Sequence, residues 1–208
     1  MKVTVKNGCI GSLIGGTLLL LALAMASDAQ DGKPPLLTTL LQGFEEGLGG
    51  WKAANDDSYN EKRYAQKVER SPRDASTEGQ HALKGIFNVT RSDGAAIFCT
   101  EDPLDLSAAS ALMFDIYVSE PKLKVALTVS TGDNWDWHES RPLPLAMGWT
   151  KMTFPLDQGF KAARSGWTYT VGVGKLSDVR RLGIIIFPDR NLQGELFLDN
   201  LRAAKAAP

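Results

Sequence analysis

From Ala111 to Ser119, Leu112, Phe114, Ile116 and Val118 occupy every second position, with Met113, Asp115, Tyr117 and Ser119 between them. Side chains of a strand point alternately to its two faces, so this spacing predicts a half-buried β-strand. The next stretch repeats the pattern. Leu123, Val125, Leu127 and Val129 alternate with Lys124, Ala126, Thr128 and Ser130, and the Gly132-Asp133-Asn134 turn leads into a second strand, Trp135 to Ser140. After a loop holding Pro142 and Pro144, Gly148 opens a third strand, Trp149 to Phe154. Alternation broken by Gly, Asp, Asn and Pro marks antiparallel strands with one face buried.

Similar, weaker patterns lie on both sides. Strands are expected at Leu40–Glu46, from Trp51, at Tyr64–Ser71, at His81–Val89 and at Ala95–Glu101, with polar loops at 55–63 and 72–80. Arg181–Pro188 is apolar on both parities, which predicts a central, covered strand, and Glu195–Leu201 is expected as the last one. Gly159–Gly174 reads as a loop, and Leu176–Arg181 as one short helical turn. No amphipathic helix of three turns and no internal repeat is visible. About ten strands at intervals of roughly 8–12 residues predict an all-β chain, an antiparallel β-sandwich or a barrel. The long loops favour the jelly-roll form of the sandwich, in one domain over residues 38–204.

The first 26 residues differ from the rest. Lys2 and Lys6 precede an apolar run from Ile10 to Met25, and Ala24-Met25-Ala26 is a small-x-small cleavage pattern. Residues 1–26 are therefore expected to be a secretory signal peptide and 27–37 a flexible lead. The dense apolar run falls short of the roughly 20 residues of a bilayer span, so no membrane attachment is expected after cleavage. The mature chain would be exported, to the periplasm or the cell exterior. Cleavage removes Lys2, Lys6 and no acid, which takes the net charge from −1 to −3. With 23 basic and 24 acidic residues in the whole chain, nothing favours nucleic acid as a partner. Cleavage also removes Cys9, leaving Cys99, which cannot form an intrachain disulfide and reads as a small buried hydrophobe.

Several short pieces now fall into order: the Phe44-Glu45 pair, Gly79-Gln80-His81-Ala82-Leu83-Lys84, Asp105-Leu106-Ser107 before Leu112–Val118, Gly148–Phe154, and Leu198-Asp199-Asn200-Leu201. Together the chain resembles carbohydrate-binding modules of the galactose-binding-domain-like jelly-roll superfamily, in particular family 11. The resemblance implies a sandwich whose concave sheet holds a glycan, and a structural Ca²⁺. It carries Glu45 and Asp199 onto the metal role, with carbonyls of the loop from Thr77 to Gln80 completing a shell of about 6–8 oxygens.

The densest aromatic and polar cluster is Trp135, Asp136, Trp137, His138, Glu139 and Arg141. An indole face can cover the C–H patches of a sugar ring while carboxylates and a guanidinium bond its hydroxyls. Trp135 and Trp137 share a face if their strand is regular, and two parities stay open: the indoles outward, or the indoles in the core with Asp136 and His138 outward. Asp115 and Tyr117 join this site if their strand belongs to the same sheet. The expected function is a non-catalytic, monomeric protein that binds a neutral polysaccharide of β-linked glucose or mannose units. Two alternatives are a glycoside hydrolase using two of Asp115, Asp136 and Glu139, and a scaffold protein on the same fold. His81 and His138 are the only histidines, and no metalloprotease, nucleophile-elbow or Cys/His pattern is present. Asn88-Val89-Thr90 matches a glycosylation acceptor.

Overall fold

The structure is a computed structural model that describes residues 36–54, 64–71 and 77–206. The expected signal peptide and all but the last two residues of the expected lead lie outside the described residues. The described residues form thirteen strands: β1 (Leu36–Gln42), β2 (Lys52–Ala53), β3 (Ala65–Ser71), β4 (Ala82–Val89), β5 (Ala96–Thr100), β6 (Ala111–Val118), β7 (Leu123–Thr131), β8 (Asp136–Ser140), β9 (Leu143–Pro144), β10 (Gly148–Pro155), β11 (Phe160–Lys161), β12 (Val179–Pro188) and β13 (Leu192–Ala206). One sheet has the order β10-β6-β13-β4-β3, with β1 also on β13; the other runs β11-β8-β7-β12-β5-β2, with β9 on β7. Every strand pairing among the described residues is antiparallel, as the alternating pattern predicts. The chain is an antiparallel β-sandwich.

The inner parities meet in one core. Leu112, Phe114, Ile116 and Val118 of β6 pack with Leu123, Val125, Leu127 and Val129 of β7 and with Leu182, Ile184 and Ile186 of β12. Phe114 and Phe154 stack with centroids 5.6 Å apart, and fully buried Phe98 reaches the first sheet at Gly85. A Cβ on Gly85 would lie 2.9 Å from the Phe98 ring, so only glycine lets the sheets close there. Burial of each such large side chain contributes roughly 1.5–3 kcal/mol.

Four details depart from the sequence pattern. β1 covers Leu36–Gln42 instead of Leu40–Glu46, because Phe44 takes a left-handed turn (φ 60) that puts Glu45 beyond the strand. The sandwich thus takes in Leu36 and Leu37, expected in the lead, and β13 runs past residue 204. Leu176–Arg181 is not helical: β12 already begins at Val179, and among the described residues a short 3₁₀ turn lies instead at Ala163–Ser165. The last strand is 15 residues long because a bulge at Asp199–Asn200 shifts its register. Before the bulge it pairs with β4, and after it with β1. Asn200 sits there at φ 57, a conformation asparagine tolerates better than most residues.

Candidate functional site

The register of the second sheet decides which residues share its outer face. Since Leu127, Val129, Ile184 and Phe98 point into the core, their neighbours point out. One outward row crosses the sheet as Lys161, Glu139, Thr128, Gly183, Cys99 and Lys52. The adjacent row is Trp137, Ser130 and Arg181, the last ion-paired to Glu101. On the other side lie Ala126, Ile185 and Ile97, which form a small apolar cluster with Ala54 and Cys99. The middle strands therefore carry small side chains, Ala126, Thr128, Ser130 and Gly183, while β8 and β11 raise large ones beside them. A Cβ on Gly183 would lie 2.8 Å from the Phe98 carbonyl oxygen and 3.0 Å from Thr128 Oγ1, so this position cannot carry a larger residue without displacement.

Large and charged side chains border this small-residue floor. Lys161 pairs with Glu139 at 2.8 Å, and both are largely buried. Burial opposes the Lys161 charge, but the Glu139 carboxylate outweighs it and holds the ammonium above its ordinary pKa. The Arg141 guanidinium and the Lys161 ammonium lie 5.3 and 5.4 Å from the centre of the Tyr169 ring. At the other end Arg181 lies 5.3 Å from the Trp135 ring. Lys52 bonds Glu101 at 2.8 Å and, with Arg181, holds that carboxyl below its ordinary pKa against the effect of burial. Two cavities flank β8. One of 410 Å³ is lined by Arg141, Gln158, Tyr169 and Thr170 among others, and one of 310 Å³ lies between Asn134–His138 and Ala162–Arg164.

The family described as mannanase, galactose-binding domain-like matches residues 42–200. The chain belongs to this family. No curated protein matches the chain. The fold of this galactose-binding-domain-like chain is similar to the family 11 carbohydrate-binding module of the cellulosomal cellulase Lic26A-Cel5E of Clostridium thermocellum. The two share 15% identity with a TM-score of 0.57, over 83% of this chain and 96% of the module. A carbohydrate-binding module specific for non-crystalline cellulose gives 16% identity and a TM-score of 0.52, over 82% and 97%. An exo-β-agarase gives 16% and 0.55, over 81% of this chain and 25% of the agarase. These likenesses bear out the sandwich fold that the sequence pieces implied.

Within the galactose-binding-domain-like sandwich the expected site residues divide. Trp137 and Glu139 share the outer face, and Arg141 stands at its border. Trp135 does not follow the alternation: it lies in the turn at φ 54, exposed, ahead of β8. Asp136 is exposed and 3.5 Å from Lys175. His138 faces the core opposite Val129 and is 1% exposed, so the open choice of parity resolves with Trp137 outward. Asp115 and Tyr117 sit on β6, paired with β10 and β13 in the other sheet, so the structure separates them from Trp137 by the thickness of the sandwich. Sequence reading missed Lys161, Tyr169, Arg181 and Glu101. β11 is two residues long and shows no period, and Tyr169 lies in a loop.

His138 accepts the Gly174 amide N–H on Nε2 at 3.3 Å, while Nδ1 has no partner. Burial, helped by the nearby Arg164 charge, pushes its pKa below the ordinary 6.5. The unfolded chain then takes up this proton at a higher pH than the folded one. Stability attributable to His138 is complete above about pH 6.5 and is lost as pH falls from there toward the depressed value, by at most about 1.4 kcal/mol per pH unit. Thermal melts of wild type and His138→Phe from pH 7.5 to 5 should diverge, the wild type losing more. Parallel curves would show that the imidazole titrates alike in both states.

The loop at Thr77–His81 joins three carboxylates. Asp199 Oδ2 accepts the amides of Thr77 (2.7 Å) and Glu78 (3.0 Å) and the Thr77 hydroxyl (3.0 Å). Glu45 Oε1 accepts the amides of Gln80 (2.8 Å) and His81 (2.9 Å), which hold its pKa below the ordinary value. Asp115 Oδ2 accepts the Asn200 side-chain amide and lies 2.9 Å from Thr77 Oγ1, whose single proton it shares with Asp199. These residues do not fit a calcium shell as arranged. The loop bonds Glu45 and Asp199 through its N–H groups, and those donors take lone pairs a cation would need. Among the described residues no group of three or more His, Cys, Asp or Glu is placed to hold a metal ion. The strand ends are joined here by carboxylate-to-amide bonds.

Proposed function

We propose that this chain is an exported, non-catalytic glycan-binding protein that holds a neutral polysaccharide across the outer face of the second sheet. The carrying observation is the pair of outward rows, Trp137–Ser130–Arg181 and Lys161–Glu139–Thr128, around the small side chains of β7 and β12. An indole and the Tyr169 ring supply stacking faces. A carboxylate and paired cations supply donors and acceptors for sugar hydroxyls. Lys161 is paired to Glu139, and Lys52 and Arg181 to Glu101, so the cations of this face are held in ion pairs and act as fixed donors for hydroxyls. The family's name points to mannans. A solved module similar in fold, with a TM-score of 0.58 and 15% identity, is described in complex with a β-1,3-1,4-mixed-linked tetrasaccharide.

A hydrolytic role finds little support in the same geometry. Asp115 lies on the opposite sheet, and Asp136 and Glu139 are on opposite parities of β8, each with a lysine partner. Glycoside hydrolysis needs two carboxyl groups flanking one bond. The test is affinity electrophoresis of the purified protein in gels containing soluble mannan or mixed-linked β-glucan, with reducing-sugar release measured on the same preparations. Retardation without sugar release is expected. Migration unaffected by either glycan rules out binding to them, and sugar release by the pure protein overturns the non-catalytic reading.

A further inference from the structure

The outer face of the first sheet carries its own aromatic row. Trp149 of β10, Tyr117 of β6 and Phe197 of β13 are direct cross-strand neighbours, and Lys84 of β4 and Glu69 of β3 continue the line. The centroids of Tyr117 and Trp149 are 5.7 Å apart and those of Tyr117 and Phe197 5.8 Å. Trp149 is exposed and the other two are half-buried. With strands about 4.8 Å apart, the row spans about 10 Å, long enough for a disaccharide. Cross-strand packing explains why neighbouring rings touch. It does not explain a tryptophan left exposed at the end of the row, on a face that also carries Lys84, Lys151, Glu69 and Glu195.

We infer that this row is a second glycan-binding surface, on the sheet opposite the proposed site, for a neutral oligosaccharide or polysaccharide chain. It shares only the ligand class with the proposal above. Two features select that ligand. Lys84 lies 5.9 Å from the centre of the Phe197 ring and is ion-paired to Glu195, while Glu69 is ion-paired to Lys67, so hydroxyl-bonding groups border the rings without an unbalanced charge. At the other end the row opens at β10, which among the described residues has no strand beyond it in the sheet order, so a long chain can run past the edge. The rings of Tyr117 and Trp149 are tilted by 59°, so the exposed Trp149 face is the main stacking contact and Tyr117 and Phe197 support it.

The experiment is calorimetric titration of wild type, Trp149→Ala, Trp137→Ala and the double variant with mannohexaose and with a β-1,3-1,4-linked glucan tetrasaccharide, beside sedimentation of each protein. For the oligosaccharide that binds, the wild type is expected to take up two molecules per chain, each single variant one, and the double variant none. Because Trp149 is partly exposed and packs on Tyr117, its removal should lower the melting temperature by no more than a few degrees. One molecule per wild-type chain, lost in Trp137→Ala and kept in Trp149→Ala, overturns the second surface and leaves the first site standing. Binding lost only in Trp149→Ala does the reverse. A wild-type dimer that Trp149→Ala converts to monomer, with sugar uptake unchanged, assigns the row to self-association and overturns the glycan reading.

Discussion

Asp199→Ala is expected to lower the free energy of unfolding by about 3 kcal/mol or more. The carboxylate is fully buried and accepts from two loop amides, the Thr77 hydroxyl and the amide of Asn200 at 2.7 Å. A hydrogen bond to a charged group is worth about 1.5–3 kcal/mol, and a buried donor left without a partner costs about 1–3 kcal/mol. Such terms overlap within one network, so they do not add in full. Relief of repulsion from Asp115, the cross-strand neighbour of Asp199, subtracts a further part. Asp199→Asn keeps an acceptor and should fall between the two. Urea unfolding measures all three proteins, and a loss under about 1 kcal/mol for the alanine variant would show that the loop is not held from this residue. The same melts, run in chelator and in millimolar calcium, should coincide for the wild type. A drop of several degrees on chelation would instead mean that a cation draws loop oxygens onto Glu45 and Asp199.

Trp137→Ala should weaken glycan binding about tenfold to a hundredfold and change stability much less. Stacking of a planar ligand on an aromatic side chain is worth roughly 1–3 kcal/mol by alanine substitution in single-stranded nucleic-acid sites, and a sugar face on an indole is expected to fall in that range. A core tryptophan would behave otherwise, at about 3–5 kcal/mol of stability. Trp51, 4% exposed and edge-on to Phe44 at 6.3 Å, is the internal comparison, because Trp51→Ala should take that second course. Titration calorimetry and thermal melting on both variants separate the roles. Equal loss of stability in the two would place Trp137 in the core energetically, whatever its face.

The alternation at Leu112–Val118 and Leu123–Val129 was sufficient to read the central strands, because each has one parity in the core and a register fixed by it. The short strands β2, β9 and β11 left no trace, since two residues have no period. Which sheet a strand joins was not legible either. β6 and β7 are consecutive and equally alternating, yet one pairs with β10 and β13 and the other with β8 and β12. That single fact divides Tyr117 from Trp137. Within β8 the composition pointed to the right segment but could not fix its face. The turn at Trp135 broke the phase, and only the pairing of His138 with Val129 shows which side is inward. Partners brought in from far along the chain, such as Tyr169 beside Arg141 and Arg181 beside Glu101, carry no local signal at all.

Backbone amide resonances of the labelled protein, followed by nuclear magnetic resonance during titration with mannohexaose and with the mixed-linked tetrasaccharide, test the central claim most directly. At least one of the two sugars should shift Thr128, Ser130, Trp137, Glu139 and Arg181 together, along with the Trp137 indole N–H, while the inward Val129 and Leu182 move less. Saturating sugar that leaves this face of the second sheet unmoved would contradict the account.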